Sequence, residues 1–288
     1  MKVIITGAGG QLGRALQLTA PEAATIVALG HSALDIGDAE AVASTISGHE
    51  PDLVINAAAY TAVDKAEGDA EAAYRINRDG PGYLAVSAHA VGARLVHIST
   101  DFVFDGSSGQ PYSPDQPTAP LGVYGASKRA GEQAVLAADP EALIVRTAWV
   151  YGVTGNNFVR TMLRLMGERD EVRVVADQIG SPTFAGGLAQ ALWDLVAANA
   201  RGVHHWTDSG AASWYDFAVA IQEEALAIGL LTRKVPVLPI ATSDYPTPAQ
   251  RPSYSVLDKR SAVAIIGKAA PHWRENLRHM LGVIKAHG

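Results

Sequence analysis

Cysteine is absent from the chain, so neither a disulfide nor a zinc–thiolate centre can contribute to its stability or its chemistry. Positive charge is in short supply too. The formal net charge is −6, from 23 Lys and Arg against 29 Asp and Glu, and the basic residues are scattered. A nucleic-acid-binding face needs clustered Lys and Arg, so this distribution argues against a nucleic-acid partner. Long hydrophobic runs are also missing. No stretch approaches the ~20 consecutive apolar residues of a membrane-spanning helix, which argues against a membrane partner. The opening Met1–Thr6 run reaches Gly7 before it could make up the apolar core of a signal peptide. Together with the lack of cysteine, this gives the expectation of a cytoplasmic protein. There is no internal repeat, low-complexity tract or long linker.

What is present is a large apolar fraction, 48% of 288 residues. That suffices for one large domain or two intimately joined ones. Val3-Ile4-Ile5 is short, β-branched and apolar throughout, as suits a central parallel strand covered on both faces. It runs into Gly7-Ala8-Gly9-Gly10-Gln11-Leu12-Gly13 and then a helix carrying Leu12, Leu16 and Leu18. Strand, glycine turn, helix is the setting of a phosphate-binding turn. Glycine lets backbone N–H groups approach a pyrophosphate, and the helix N-terminus adds partial positive charge. The key glycines Gly7, Gly10 and Gly13 are spaced by threes, unlike Gly-x-Gly-x-x-Gly, although Gly9 supplies a Gly-x-Gly pair.

Further strands are expected at Thr25–Leu29, Leu53–Ile55, Arg94–Ile98, Leu143–Thr147 and Val172–Val175. The second ends in Gly30-His31-Ser32, where a dinucleotide fold often places an acid for the ribose 2′-hydroxyl. No acid comes before Asp35, so the choice between NADH and NADPH stays open. Asp35 and Ile36 can flank an adenine; Asp35 can equally serve as a helix cap ahead of Asp38. The third strand ends in Asn56-Ala57-Ala58-Ala59, small residues that let a ligand lie on the backbone. Thr61 and Val63 follow near the pocket, whereas Asp64, Lys65 and Glu67 read as a solvated cluster in a loop. A helix over residues 70–90 carries Tyr74, Ile76, Tyr83, Leu84 and Val86, mostly as core. The fourth strand leads into Ser99-Thr100-Asp101, whose hydroxyl can hold a carbonyl oxygen. His97 reads as a satisfied interior residue, and His204-His205-Trp206 as structure, because neighbours in a strand face opposite ways. Trp149 lies past a strand end, where it could wall a sugar-sized pocket or simply pack. Helices are expected from Asn156-Asn157-Phe158 to about Gly167, near 185–198, near 213–228 and from about Pro271. The Pro-rich stretch 236–252 reads as a stiff loop, with Arg251 an anion clamp.

Tyr124-Gly125-Ala126-Ser127-Lys128 draws these pieces together. It lies beyond Pro117 and Pro120, where a helix can begin. Tyrosine and lysine four apart share one helix face. A phenol titrates near ~10, and a nearby ammonium lowers that value. The pair therefore makes an acid/base device.

The glycine turn, Asn56–Ala59, Ser99–Asp101 and Tyr124-x-x-x-Lys128, in that order, resemble the extended short-chain dehydrogenase/reductase superfamily. Thr61–Glu67, Ser99–Phe104, Arg146–Tyr151, Asn156–Phe158 and Tyr245–Pro252 resemble, more narrowly, the dTDP-4-dehydrorhamnose reductase family, over essentially the whole chain. The resemblance implies an α/β fold: a Rossmann-type doubly wound parallel sheet with a smaller C-terminal substrate-binding region. The expected division is a dinucleotide-binding part at 1–150 and a mainly substrate-binding part at 151–288, with segments returning to the first. It implies NADPH or NADH as cofactor, and reduction at C4 of dTDP-4-dehydro-β-L-rhamnose. Tyr124 would give the proton, Lys128 would tune it and hold the nicotinamide ribose, and Thr100 would orient the carbonyl. Asp101 and Trp149 would contact the dTDP-sugar, with Thr61 and Val63 nearby. Gly10, Gln11, Leu12, Asp35, Ile36 and Ala57–Ala59 would line the cofactor. A homodimer is implied by the resemblance alone, and a magnesium ion is left open, with no residue pattern to locate it.

Rival readings remain within the same fold. A reductase of another dTDP-4-keto-6-deoxysugar would differ only in pocket shape. An epimerase or dehydratase would keep its NAD bound, and a dehydratase is disfavoured because Thr100 is followed by Asp101-Phe102 rather than an Asp-Glu pair. A non-catalytic regulatory subunit of the methionine adenosyltransferase type is disfavoured by the presence of both Tyr124 and Lys128.

Overall fold

The structure, a computed structural model, describes residues 1–287. Its first half alternates strand and helix: β1 (Lys2–Thr6), α1 (Gln11–Leu18), β2 (Thr25–Leu29), α2 (Ala39–His49), β3 (Leu53–Asn56), α3 (Val63–Ala66), α4 (Ala70–Tyr74), α5 (Gly80–Ala90), β4 (Arg94–Thr100), α6 (Val123–Ala138) and β5 (Leu143–Thr147). The second half is less regular. It contains β6 (Val150–Tyr151), α7 (Phe158–Glu168), β7 (Val172–Val175), β8 (Ile179–Gly180), β9 (Thr183–Phe184), α8 (Ala185–Ala197), β10 (Gly202–His205), β11 (Ala212–Ser213), α9 (Trp214–Ala227), β12 (Val237–Ile240), α10 (Arg260–Ile266) and α11 (Trp273–His287).

Six strands form one parallel sheet in the order β10-β5-β4-β3-β1-β2. The chain goes from β1 out to the edge at β2, then back across to β3. That reversal opens a crevice at the carboxyl ends of β1 and β3, the place where such sheets bind ligands. Both faces are covered, which is why the inner strands are apolar through Val3–Ile5, Leu53–Ile55 and Leu143–Val145. Val3, Ile5, Leu53 and Ile55 face α1 and α8, meeting Leu16, Leu188 and Leu192. Ile4 and Val54 point the other way, toward α2, α5 and α6, meeting Val42, Ile46, Leu84 and Val135. A separate apolar cluster joins α7, α9 and α11 through Met162, Met166, Phe217, Ile221, Leu277 and Met280.

Leu12, Leu16 and Leu18 all lie on α1; Leu12 and Leu16, four apart, share its buried face, and Leu18, two further on, turns away and is 87% exposed. Several expectations are corrected. Val172–Val175 is a strand outside the central sheet. It pairs only with β12, and the sixth place in the main sheet goes to β10. β12 itself lies in the Pro-rich stretch read as a loop. Pro239 is tolerated there because a two-stranded sheet consists of edges. Thr61–Glu67 contains the short helix α3. Of the residue 70–90 stripe, Leu84 is fully buried, while Val86 is 61% exposed and the aromatic members are half-buried.

The same stretch is interrupted by a π turn over Arg75–Asp79. There the Asn77 side chain, wholly buried, binds the Tyr60 backbone through both its ends and donates to Ser127 Oγ at 3.0 Å. The Asn77 carbonyl lies against Gly131 of α6 so closely that a Cβ at Gly131 would overlap its oxygen. We expect Gly131→Ala to cost about 1–3 kcal/mol through overpacking, despite alanine's better helix propensity. Urea unfolding followed by circular dichroism checks this; an unchanged or raised midpoint would show that the two elements separate freely.

Candidate active site

The crevice is a cleft of about 1110 Å³. At one end lies the glycine turn. Gly7 has φ +65°, a left-handed conformation, and a Cβ there would come within 2.6 Å of Ala58 N. Only glycine accepts both conditions. Gly10 precedes α1 as its N-cap residue, and its side-chain-free backbone, with Gln11 and Leu12, faces the cleft. Gly13 is the one predicted cofactor residue that does not line the cleft; its missing Cβ instead lets α1 pack against the Gly7 carbonyl. Ala57, Ala58 and Ala59, beyond β3, line the cleft, as do Asp35 and Ile36.

Asp35 is not a helix cap. Its carboxylate accepts from Gly37 N at 2.9 Å and from Arg75 Nη1 at 2.9 Å. Asp38 is the cap of α2, accepting from Glu40 N and Ala41 N. Burial raises the Asp35 pKa, but the hydrogen bonds from Arg75 and Gly37 outweigh it and leave the carboxyl below its ordinary value.

The other end of the cleft gathers Thr61, Val63, Thr100, Asp101, Tyr124, Lys128, Trp149 and Arg251. Thr100 Oγ1 donates to Asp101 Oδ1 at 3.0 Å. Asp101 is 2% exposed, and the hydroxyls of Ser255 and Thr100 both favour its charged carboxylate. Burial pushes the Asp101 carboxyl up to about 6. Burial also pushes the Tyr124 phenol up to about 12, with the Asp101 charge adding to it and a hydrogen bond from Thr100 opposing. Lys128 moves the other way, down to about 8: burial disfavours the ammonium, and Glu132 only partly restores it.

The structure records no hydrogen bond between Tyr124 and Lys128. The lysine Nζ instead donates to the Ile98 carbonyl at 2.6 Å and lies 3.3 Å from His97 Nε2. His97 is, as expected, fully buried. His204 and His205 turn opposite ways, to Ser261 and to Tyr112 with Arg146. Among the described residues, no group of three or more His, Asp or Glu is placed to hold a metal ion.

Two expectations change in character. Asp64 is not a free solvated acid, because it binds Arg251 through both oxygens, at 2.8 and 3.0 Å. Arg251 also donates to Thr247 Oγ1 and the Ala249 carbonyl, so its fork is largely engaged within the protein. Glu67 accepts from Val123 N at 2.8 Å and caps α6. Sequence reasoning missed this cap, and no local pattern could reveal a partner 56 residues away. It also missed Trp214, whose ring stacks on Trp149 at 3.5 Å and 5°. Trp149 is held at φ +48° over Gly180, strain that bulky residues rarely accept. Trp149 thus walls the cleft, whereas nearby Tyr151 is core, 1% exposed.

Comparison with known proteins places this geometry in company. The family model described as the RmlD substrate binding domain matches residues 1–285. A dTDP-4-dehydrorhamnose reductase of Mycobacterium tuberculosis H37Rv is 47% identical over 283 residues, covering 96% of this chain and 91% of the relative. A dTDP-4-dehydrorhamnose reductase structure from Clostridium acetobutylicum is 40% identical with a TM-score of 0.94, covering 99% of this chain and 100% of that one. Another from Bacillus anthracis, in complex with NADP, is 41% identical with a TM-score of 0.93, covering 98% and 99%.

Beneath Lys128 on the same helix, Glu132 is fully buried and gripped by Arg146, Nε to Oε1 at 2.8 Å and Nη2 to Oε2 at 2.8 Å, with Arg129 adding 2.9 Å. Burial raises the Glu132 pKa, but Arg146 foremost and Arg129 hold it below its ordinary 4.5. Stability from this pair is present above that ordinary value and is lost as pH falls through the depressed native one. Glu132→Gln should cost about 3 kcal/mol at pH 7 by leaving Arg146 buried and unpaired. The gap to the unsubstituted protein should narrow below pH 4.5. Urea unfolding across that range tests it; a gap that does not change with pH would contradict the ion-pair account.

Proposed function

The chain belongs to the RmlD substrate binding domain family, and from that membership we propose that it is a nicotinamide-dependent reductase of the C4 carbonyl of dTDP-4-dehydro-β-L-rhamnose, giving dTDP-L-rhamnose. The observation that carries the reading is one continuous cleft. It runs from the glycine turn at Gly7–Leu12, past Ala57–Ala59, to Thr100, Tyr124 and Lys128. A dinucleotide and a keto sugar laid end to end fit that arrangement. Residues 1–150 carry the dinucleotide, and 151–288 mainly the sugar nucleotide, with α8 and β10 returning to the central sheet. The absence of cysteine fits a cytoplasmic setting.

A reduced nicotinamide, when bound, supplies the hydride. The protein's part is alignment and proton supply. Thr100 orients the carbonyl oxygen through its hydroxyl, and Tyr124 delivers its phenolic proton to the oxygen as negative charge develops there. At about 12, the phenol stays protonated until that charge appears. Lys128, an ammonium below about pH 8, stabilises the phenolate left behind. Asp101 contacts the sugar nucleotide, and the Trp149–Trp214 stack walls it. Thr61, just before α3, and Val63, its first residue, contact the same sugar. Arg251 meets the nucleotide's charge while remaining anchored by Asp64.

Both NADPH and NADH fit. No acid stands at the Gly30-His31-Ser32 end of β2, and Asp35 is neutralised by Arg75, so a ribose 2′-phosphate meets no bare carboxylate.

The test is loss of the reduced-nicotinamide absorbance with each cofactor and enzymatically made dTDP-4-dehydro-β-L-rhamnose. Tyr124→Phe should lower turnover by roughly two to four orders of magnitude while still quenching NADPH fluorescence. Near-native turnover in that variant would remove Tyr124 as proton donor. Turnover only with a different dTDP-4-keto-6-deoxysugar would reassign the substrate.

A further inference from the structure

Behind Lys128 runs a buried chain of polar groups that the reaction above does not use: Thr6, Asn56 and His97, each no more than 1% exposed. Its hydrogen-bond directions are set from one end. Ala58 N–H is obligately a donor and lies 3.1 Å from Asn56 Oδ1, which also accepts from Thr6 Oγ1 at 2.7 Å. The carboxamide therefore cannot be turned round, and its NH2 must face His97 Nδ1, 3.0 Å away. Nδ1 must then accept, which leaves the single proton of a neutral ring on Nε2. A charged ring is disfavoured as well, because burial foremost, with the Lys128 charge adding to it, holds His97 well below its ordinary pKa. Nε2–H points at Lys128 Nζ, 3.3 Å off.

We propose that His97 is a positioning residue for Lys128: Asn56 locks its ring in the Nε2–H form, so the lysine nitrogen meets a donor rather than an acceptor and its amine form is favoured. An amine satisfies the arrangement, since it donates to the Ile98 carbonyl at 2.6 Å and receives the Nε2 proton in its lone pair. An ammonium would set N–H against N–H. Other charges face the same nitrogen. On α6, Glu132 favours the ammonium, but Arg146 of β5 and Arg129 already hold its carboxylate, and Tyr124 lies one turn back. Asp101 follows the end of β4, and β3 offers only the neutral Asn56. The consequence rests on the reductase reading: a lysine whose proton exchanges near working pH can restore the proton of Tyr124 after each turnover, whereas a permanent cation can only stabilise the phenolate.

The experiment begins without activity. Long-range 1H–15N spectra of the 15N-histidine-labelled, ligand-free protein should show His97 protonated at Nε2 and bare at Nδ1; a proton on Nδ1 overturns the proposal outright. Titration of the Lys128 side chain by NMR in His97→Gln should then give a midpoint about one pH unit higher, because glutamine can turn its carbonyl to the ammonium. An unchanged midpoint in folded variant overturns the proposal. If the variant does not fold, the tautomer of the unsubstituted protein decides alone. In turnover, the alkaline limb of kcat/KM should move up with the Lys128 midpoint while the KM for cofactor stays put; a limb that does not move contradicts the link to Tyr124. Absence of turnover with every nucleotide sugar would overturn the reductase reading and leave both NMR results standing on their own.

Discussion

The seating of α6 against the sheet is the constraint on which the rest of the structure depends. That helix carries Tyr124 and Lys128, and its position is fixed at three levels. Glu67 caps its first turn, the Asn77 carbonyl sits where Gly131 has no side chain, and Glu132 grips Arg146 of β5. Burying a carboxylate and a guanidinium costs several kcal/mol for each ion. The bidentate geometry recovers much of that, and it allows only one depth and rotation of the helix. A helix held by apolar packing alone could slide by fractions of an ångström at little cost. Tyr124, as the proposed proton donor to one oxygen, could not tolerate such freedom.

The same burial that fixes the helix shifts Tyr124 and Lys128 in opposite directions. It raises the tyrosine to about 12 and lowers the lysine to about 8. No hydrogen bond joins the two, and the lysine is turned down onto Ile98 and His97. Sequence spacing makes the pair adjacent on a helix face, but adjacency is not coupling.

Much of this was legible in the sequence because its signals are local. Apolar β-branched runs marked β1, β3 and β5, and Asp38 and Asn156-Asn157-Phe158 marked helix starts, where Asp38 and Asn157 are the caps. The glycine turn was legible for the same reason: Gly7 needs a left-handed φ, which only its own residue type supplies cheaply. What stayed hidden depends on partners far along the chain. Asp64 looked solvated because Arg251, its partner, lies 187 residues away. Val172–Val175 has the composition of a central strand, yet its neighbour is Val237–Ile240, and composition does not name a neighbour. Trp214 gave no sign that it would stack on Trp149, and the π turn at Arg75–Asp79 has no period of its own to read. His97 was rightly read as interior, but the direction of its hydrogen bonds follows only from the Ala58 N–H two elements away.

The central claim is a net reduction, with an external hydride reaching the sugar and Tyr124 supplying the proton. The most direct measurement uses a reduced cofactor deuterated at both positions of nicotinamide C4, with NMR of the sugar product. The account predicts deuterium at C4 of the sugar, one equivalent for each cofactor oxidised. A product free of deuterium, or a changed sugar with the cofactor unconsumed, would contradict it and indicate a bound dinucleotide that takes and returns the sugar's own hydride.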